Sequence, residues 1–239
     1  MIDRDIAPKT YAEWEMPKNL TEKVVQLASS GDLQTLQLSN RYLPELPEEL
    51  RRCKGMRHLT LEYTHTYTLP DWIKEFTKLE YLHLESKFTS PIVSLPDDIF
   101  DDMSSLTFIH FAVFIPMKRL PSFTGLTNLK SLTLAVFLSL EELPALDSLH
   151  RLEKFLVTCM PSLNTLPDLA PIKNVKSLAA SLLVLSLIII SDPTIASTSE
   201  TAAKPTSTQH CQTSDASAYS FPTTKKKEAT NSVFTSLPS

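Results

Sequence analysis

Apolar residues along this chain recur in a fixed triplet, L-x-x-L-x-L, first met at Leu33, Leu36 and Leu38. The same positions hold Met56/Leu59/Leu61, Leu79/Leu82/Leu84, Leu106/Ile109/Phe111, Leu129/Leu132/Leu134 and Leu152/Phe155/Val157, with a weaker seventh copy at Val175/Leu178/Ala180. Their starts lie 23, 23, 27, 23, 23 and 23 residues apart. Side chains alternate along an extended strand, so the fourth and sixth positions of each triplet share one face and point into a core. A second constant feature follows each polar turn: Leu46-Pro47, Leu69-Pro70, Leu95-Pro96, Leu120-Pro121, Leu143-Pro144 and Leu166-Pro167. The leucine is expected inside, and the proline fixes φ where no strand partner is needed.

A unit of this size cannot bury its apolar face alone, so consecutive copies must stack side by side. The triplet and its period predict an α/β fold: a right-handed leucine-rich-repeat solenoid of about six full 23-residue repeats over residues 20–180. A parallel sheet would line its concave side, and short helical or 3₁₀ segments its convex side. In the first three repeats the return segment carries Leu50/Cys53/Met56, Ile73/Phe76/Leu79 and Ile99/Met103/Leu106, a spacing that suits a turn or two of helix. In the last three it contracts to Phe123/Leu126/Leu129, Leu146/Leu149/Leu152 and Leu169/Ile172/Val175, which suits 3₁₀ or extended turns. The longer third repeat predicts a bulging loop around Thr89 to Val93. The ninth position, where many such repeats carry a ladder-forming asparagine, holds Arg41, Thr64, Lys87, Phe114, Phe137 and Met160. Turns on that edge are therefore expected to be looser than in a regular horseshoe.

The flanks read differently. Residues 1–19 are polar and proline-punctuated, and are expected to be extended. Residues 20–32 predict an N-terminal cap helix with Val24, Leu27 and Ala28 on its buried face and Gly31 as its stop. Residues 181–190, SLLVLSLIII, are apolar, but the charge-free run between Lys176 and Asp192 holds only 15 residues. As a helix it would reach roughly 22 Å, short of the ~30 Å hydrocarbon core, so a flap over the open end of the solenoid is favoured over a membrane anchor. From 191 to 239 roughly two residues in five are Ser or Thr, a composition that predicts disorder.

Charge and rare residues narrow the function. A net charge of −4 argues against a nucleic-acid binder. With Gly 3, no glycine-rich phosphate loop can be written. Cys53, Cys159 and Cys211 lie too far apart for a disulfide framework or a zinc spacing. The first twenty residues hold no apolar run, so there is no secretory signal and the chain as written is expected in the cytoplasm. No activated nucleophile can be assembled, which predicts a non-enzyme without cofactors.

The third, fifth and seventh positions of each strand point away from the core. Their columns are Thr35, His58, Tyr81, Phe108, Ser131, Lys154; Gln37, Thr60, His83, His110, Thr133, Leu156; and Ser39, Glu62, Glu85, Ala112, Ala135, Thr158. Neighbouring strands lie ~4.8 Å apart, so His58, Tyr81, His83, Phe108, His110, Glu62 and Glu85 should form one patch. Exposed aromatics rimmed by charge suit a protein-binding hot spot, and the expected partner is another protein. His83 beside His110, with Glu85 in reach, invites a metal reading, but stacked imidazoles on a sheet are commoner without metal, so none is expected. Two rival readings remain: a fragment of a membrane-anchored surface receptor, and a truncated product without function.

The segments RDIAPKTYAEW, NLTEKVVQLASSGDLQTLQL, LPEELRRC, LPDDIFDDMSSLTFIHF, LPSFTGLTNLKSLTLAV and LPDLAPIKNVKS carry a likeness to a known group. Over about residues 3 to 178 the chain resembles the large leucine-rich-repeat proteins of oomycetes, the Phytophthora-type group labelled for a W-L-G-C motif. In that group membrane-spanning segments precede the repeats and a cysteine-rich segment follows them. Here the repeats pass directly to SLLVLSLIII and the Ser/Thr tail. The resemblance implies a repeat-type recognition protein, with a membrane or surface location if the chain is part of a longer protein of that kind.

Overall fold

Each apolar triplet becomes a strand. In the computed structural model, which describes residues 10–180, these are β1 (Thr35–Ser39), β2 (His58–Glu62), β3 (Tyr81–Glu85), β4 (Phe108–Ala112), β5 (Ser131–Ala135), β6 (Lys154–Thr158) and β7 (Ser177–Ala180). They form one sheet in sequence order, every pair parallel. Register follows the repeat without slippage: Leu36 faces Leu59, Leu59 faces Leu82, Leu82 faces Ile109, Ile109 faces Leu132, Leu132 faces Phe155 and Phe155 faces Leu178. The solenoid of about six turns read from the 23-residue spacing is therefore what the chain forms. A one-residue slip would turn every one of these leucines to the opposite face, which is why the register is so strongly specified.

The core is continuous from Leu20 to Leu178 and takes two side chains from each of β1 to β6, the leucine before each proline up to Leu143, and the apolar residues of the return segments, with Leu166 and Ala180 partly buried against it. Pro47 and Pro70, both extended, lead into 3₁₀ segments at Glu48–Arg52 and Asp71–Glu75. Their bonds run three residues back, as in Leu50 N–H to the Pro47 carbonyl (3.0 Å) and Cys53 N–H to that of Leu50 (2.9 Å). The helical turns expected in the first three repeats are thus 3₁₀ in two of them and successive turns in the third. Helical segments of 5 residues are too short for an α-helix to repay its nucleation. The last three repeats use turns, with one 3₁₀ segment at Ala170–Ile172.

The third repeat absorbs its extra length in a tight turn from Lys87 to Ser90, slightly earlier than the expected bulge, with Phe88 exposed at the tip. Its return segment then presses on the fourth repeat at Gly125. A Cβ there would lie 1.8 Å from the Phe100 carbonyl oxygen, so no other residue fits without movement.

The looser turns expected from the missing asparagine are not found. The ninth-position residues are buried instead, and Phe114 and Phe137 stack with ring centroids 5.2 Å apart and planes at 15°. Before all of them but Lys87, the preceding residue takes a left-handed backbone, at Asn40, Tyr63, Val113, Val136 and Cys159. That conformation costs an ordinary residue roughly 1–2 kcal/mol, and the surrounding bonds hold it. Val113 N–H donates to the Ala135 carbonyl (3.0 Å), Phe114 N–H to that of Val136 (3.1 Å), and Phe137 N–H to that of Cys159 (3.1 Å). The ladder is satisfied between repeats, and rings fill the space a polar ladder would occupy.

At the N-terminal end α2 (Thr21–Ala28) buries Val24 and Ala28, but Leu27, expected on the same face, is 37% exposed. The Cys53 thiol meets the Ala28 carbonyl at 3.7 Å and ties this helix to the first full repeat. Residues 11–15, expected to be extended, form a short helix, α1 (Tyr11–Glu15). Its Trp14 ring lies 5.0 Å from that of Tyr63 and beneath the Lys87 ammonium at 4.5 Å, and Lys87 also donates to the Trp14 carbonyl. The apolar segment 181–190 and the tail lie outside the described residues, as do residues 1–9. Among the described residues no helix is long and apolar enough to cross a membrane.

Candidate functional site

Three neighbouring strands, β2 to β4, bring all seven residues singled out from the sequence onto one sheet face. Their register puts His58 beside Tyr81 and Tyr81 beside Phe108 in one column, and Thr60, His83 and His110 in the next. The Tyr81 and Phe108 rings are parallel, with centroids 4.2 Å apart and an interplanar angle of 0°. His58 extends this row at 6.2 Å from Tyr81, with its Nδ1 3.4 Å from the Thr35 hydroxyl. His83 and His110 lie 4.2 Å apart at a tilt of 46°. The strands supply a rigid base, so these spacings cost little to maintain on contact with another molecule.

Two carboxylates flank His83. Glu62 Oε1 stands 3.5 Å from its Nδ1, and Glu85 Oε2 3.6 Å from its Nε2. The Tyr63 hydroxyl donates to Glu85 from the adjoining turn. Burial pushes the Glu85 carboxyl up, but the His83 ring and the Tyr63 hydroxyl against it pull harder, so it lies below the usual carboxylate range and is ionised at neutral pH. Burial, and then the neighbouring His83, lower His110 from the ordinary imidazole value and keep it neutral there. Burial and the Glu62 charge raise the Tyr81 phenol. The patch is thus half-buried, with a neutral imidazole, an ionised carboxylate and an uncharged aromatic pair side by side. His83, Glu85 and His110 each offer a donor atom, and these atoms all lie within 4.8 Å of one another.

Thr60, Tyr63 and Trp14 were not among the seven site residues read from the sequence. Thr60 lies in the same column as His83, but is buried, and its hydroxyl has no partner among the described residues. The signal for it was present in the column order; its burial was not. The hold of Trp14 on Lys87 spans 73 residues and left no trace in any local pattern. Ser90 Oγ and His65 Nδ1 meet at 2.9 Å, which has the form of a nucleophile and base, but Ser90 is buried and the bond joins the third-repeat turn to the second repeat. The Cys53 thiol is buried, and burial pushes its pKa up, away from a reactive thiolate.

No protein-family model matches the chain, and no curated protein does. Solved structures do match. A leucine-rich-repeat protein of Leptospira interrogans is 18% identical with a TM-score of 0.50, over 69% of this chain and 48% of that one. The leucine-rich repeat domain of the type III effector XopL is 19% identical with a TM-score of 0.45, over 77% and 82%. A TLR13-ssRNA13 complex is 17% identical with a TM-score of 0.44, over 72% and 28%. The chain spans about half the length of the Leptospira protein. At such identity the likeness is one of fold, that of a leucine-rich-repeat solenoid.

Proposed function

We propose that this solenoid is a non-catalytic recognition scaffold that binds a polypeptide through His58, Tyr81, His83, Phe108, His110, Glu62 and Glu85. The observation that carries the reading is the parallel Tyr81–Phe108 pair on adjacent strands, held at 4.2 Å with histidines on either side and two carboxylates beside it. Aromatic side chains fixed on a sheet give large contact area for little lost rotamer freedom, which is the composition of binding hot spots. The carboxylates suit a Lys or Arg in the bound segment, since a desolvated pair at the edge of an aromatic contact adds specificity. On this reading the repeat block is of the kind found in the oomycete proteins it resembles. The free, buried thiol of Cys53 fits a reducing compartment such as the cytoplasm.

A display library of random peptides selected on the full chain tests the proposal. Selected peptides should lose at least about tenfold in affinity for a Tyr81→Ala/Phe108→Ala variant, since each hot-spot truncation costs about 2 kcal/mol or more. A Lys118→Ala/Arg119→Ala variant, altered at exposed cross-repeat ion pairs, should keep full binding. Retention by the aromatic variant, or loss by the other alone, overturns it.

A further inference from the structure

We propose that His83, Glu85 and His110 form a three-ligand site for a divalent transition-metal ion, Zn²⁺ foremost, with a coordination position left open at the sheet face. His83 and Glu85 are two residues apart on β3, so their side chains leave the same face, and His110 is the register partner of His83 on β4. Their donor atoms already lie within 4.8 Å of one another. A tetrahedral Zn²⁺ with bonds of ~2.0–2.2 Å sets its ligands roughly 3.4 Å apart, so the widest pair must close by about 1.4 Å. Rotation of the Glu85 carboxylate and of the two rings covers that distance while the strands stay where they are.

Two further observations point to a cation. His83 Nε2 is buried and has no hydrogen-bond partner among the described residues, with Glu85 at 3.6 Å beyond hydrogen-bond reach. Buried polar atoms are rarely left so, and an ion held between this nitrogen, the Glu85 carboxylate and His110 would satisfy it. Behind the ring, Glu62 stands 3.5 Å from Nδ1. On closing by a few tenths of an ångström, a carboxylate in that place accepts a hydrogen bond from Nδ1–H and fixes the tautomer that leaves Nε2 free to ligate. The donor set of two imidazoles and one carboxylate suits zinc and its neighbours and not Mg²⁺ or Ca²⁺, which favour oxygen. The columns of the sequence contained the three ligands; what tips the balance from stacked imidazoles to a site is Glu62 behind His83 and the unpartnered Nε2. The metal site does not rest on the polypeptide reading, and either can stand without the other.

The test is calorimetric titration of the EDTA-treated full chain with ZnSO₄, paired with visible spectra of the Co²⁺-loaded protein. One Zn²⁺ per chain should bind, excess Mg²⁺ should not compete, and Co²⁺ should give the intense bands of a low-coordinate ion. Glu85→Gln, which keeps the side chain's shape, and His110→Ala should each weaken Zn²⁺ binding at least about tenfold and abolish those bands, and Glu62→Gln should weaken it about tenfold. His150→Ala, at an exposed histidine outside the patch, should change nothing. Absence of one-to-one uptake, or uptake unchanged in Glu85→Gln and His110→Ala variants with native circular dichroism, would overturn the site.

Discussion

Replacing Gly125 with alanine probes how closely the third repeat packs on the fourth. The added Cβ would stand 1.8 Å from the Phe100 carbonyl oxygen and 2.5 Å from that of Asp101, against an ordinary contact of 3.4 Å or more. Both neighbours are backbone atoms, so no side-chain rotation relieves the overlap, and the two turns must separate by about 1.5 Å. That shift would draw Phe123 away from Phe100, whose rings are now 6.0 Å apart, and loosen the fully buried Leu126. Overfilling a core commonly costs about 1–3 kcal/mol, and a clash this deep against backbone belongs at the upper end or above it, about 3 kcal/mol. In a domain of this size each kcal/mol moves the melting temperature by about 2–4 °C, which gives a fall of about 6–12 °C in a circular-dichroism melt. The fifth repeat carries Ser148 at the equivalent position, and Ser148→Ala should change stability by no more than about 0.5 kcal/mol. A Gly125→Ala protein melting within about 2 °C of wild type would refute the claim that this glycine is required by the approach of the longer repeat.

Two other predictions follow from named contacts. Phe137→Asn, which restores the residue type usual at the ninth position, should destabilise the chain by about 3–5 kcal/mol in urea unfolding, much as Phe137→Ala does, because the site holds a stacked ring and its backbone bonds are already made. In EDTA, stability should fall as the pH drops below about 6.5, where unfolded imidazoles take up protons. His65, lowered by burial and then by Lys87, and His110, lowered by burial and then by His83, resist that protonation in the fold. The loss is absent above the unfolded value and levels off below the folded ones. A His65→Gln/His110→Gln protein should show a flatter melting-temperature profile over that window, and an unchanged slope would contradict the assignment.

Legibility in the sequence tracked the range of the interaction. Period-2 alternation within five-residue strands and a 23-residue return placed Leu59, Leu82 and Ile109 in the core and Tyr81, Phe108, His83 and His110 in adjoining columns, because parallel register between identical units leaves no other arrangement. The edge where strands enter turns was not legible. Val113 and Val136 adopt a left-handed backbone that their β-branched side chains disfavour, so local preference pointed away from the conformation that carries Phe114 and Phe137 inward. Leu27 was misread because an amphipathic count cannot tell a helix covered on one stripe from one covered more widely. Lys87 was legible only as the occupant of a ninth position; its burial against Trp14, which no repeat contains, was not. The patch itself was legible as residue columns, while its chemistry, with Tyr63 and Glu62 supporting Glu85 and His83, required the coordinates.

Hydroxyl-radical footprinting of the chain with and without a selected peptide tests the central claim most directly. The account predicts that Tyr81, Phe108 and His58 lose reactivity on binding, while Tyr67 and Phe88, which are 46% and 51% exposed outside the patch, do not change. Protection at Tyr67 and Phe88 with Tyr81 and Phe108 still reactive would contradict it.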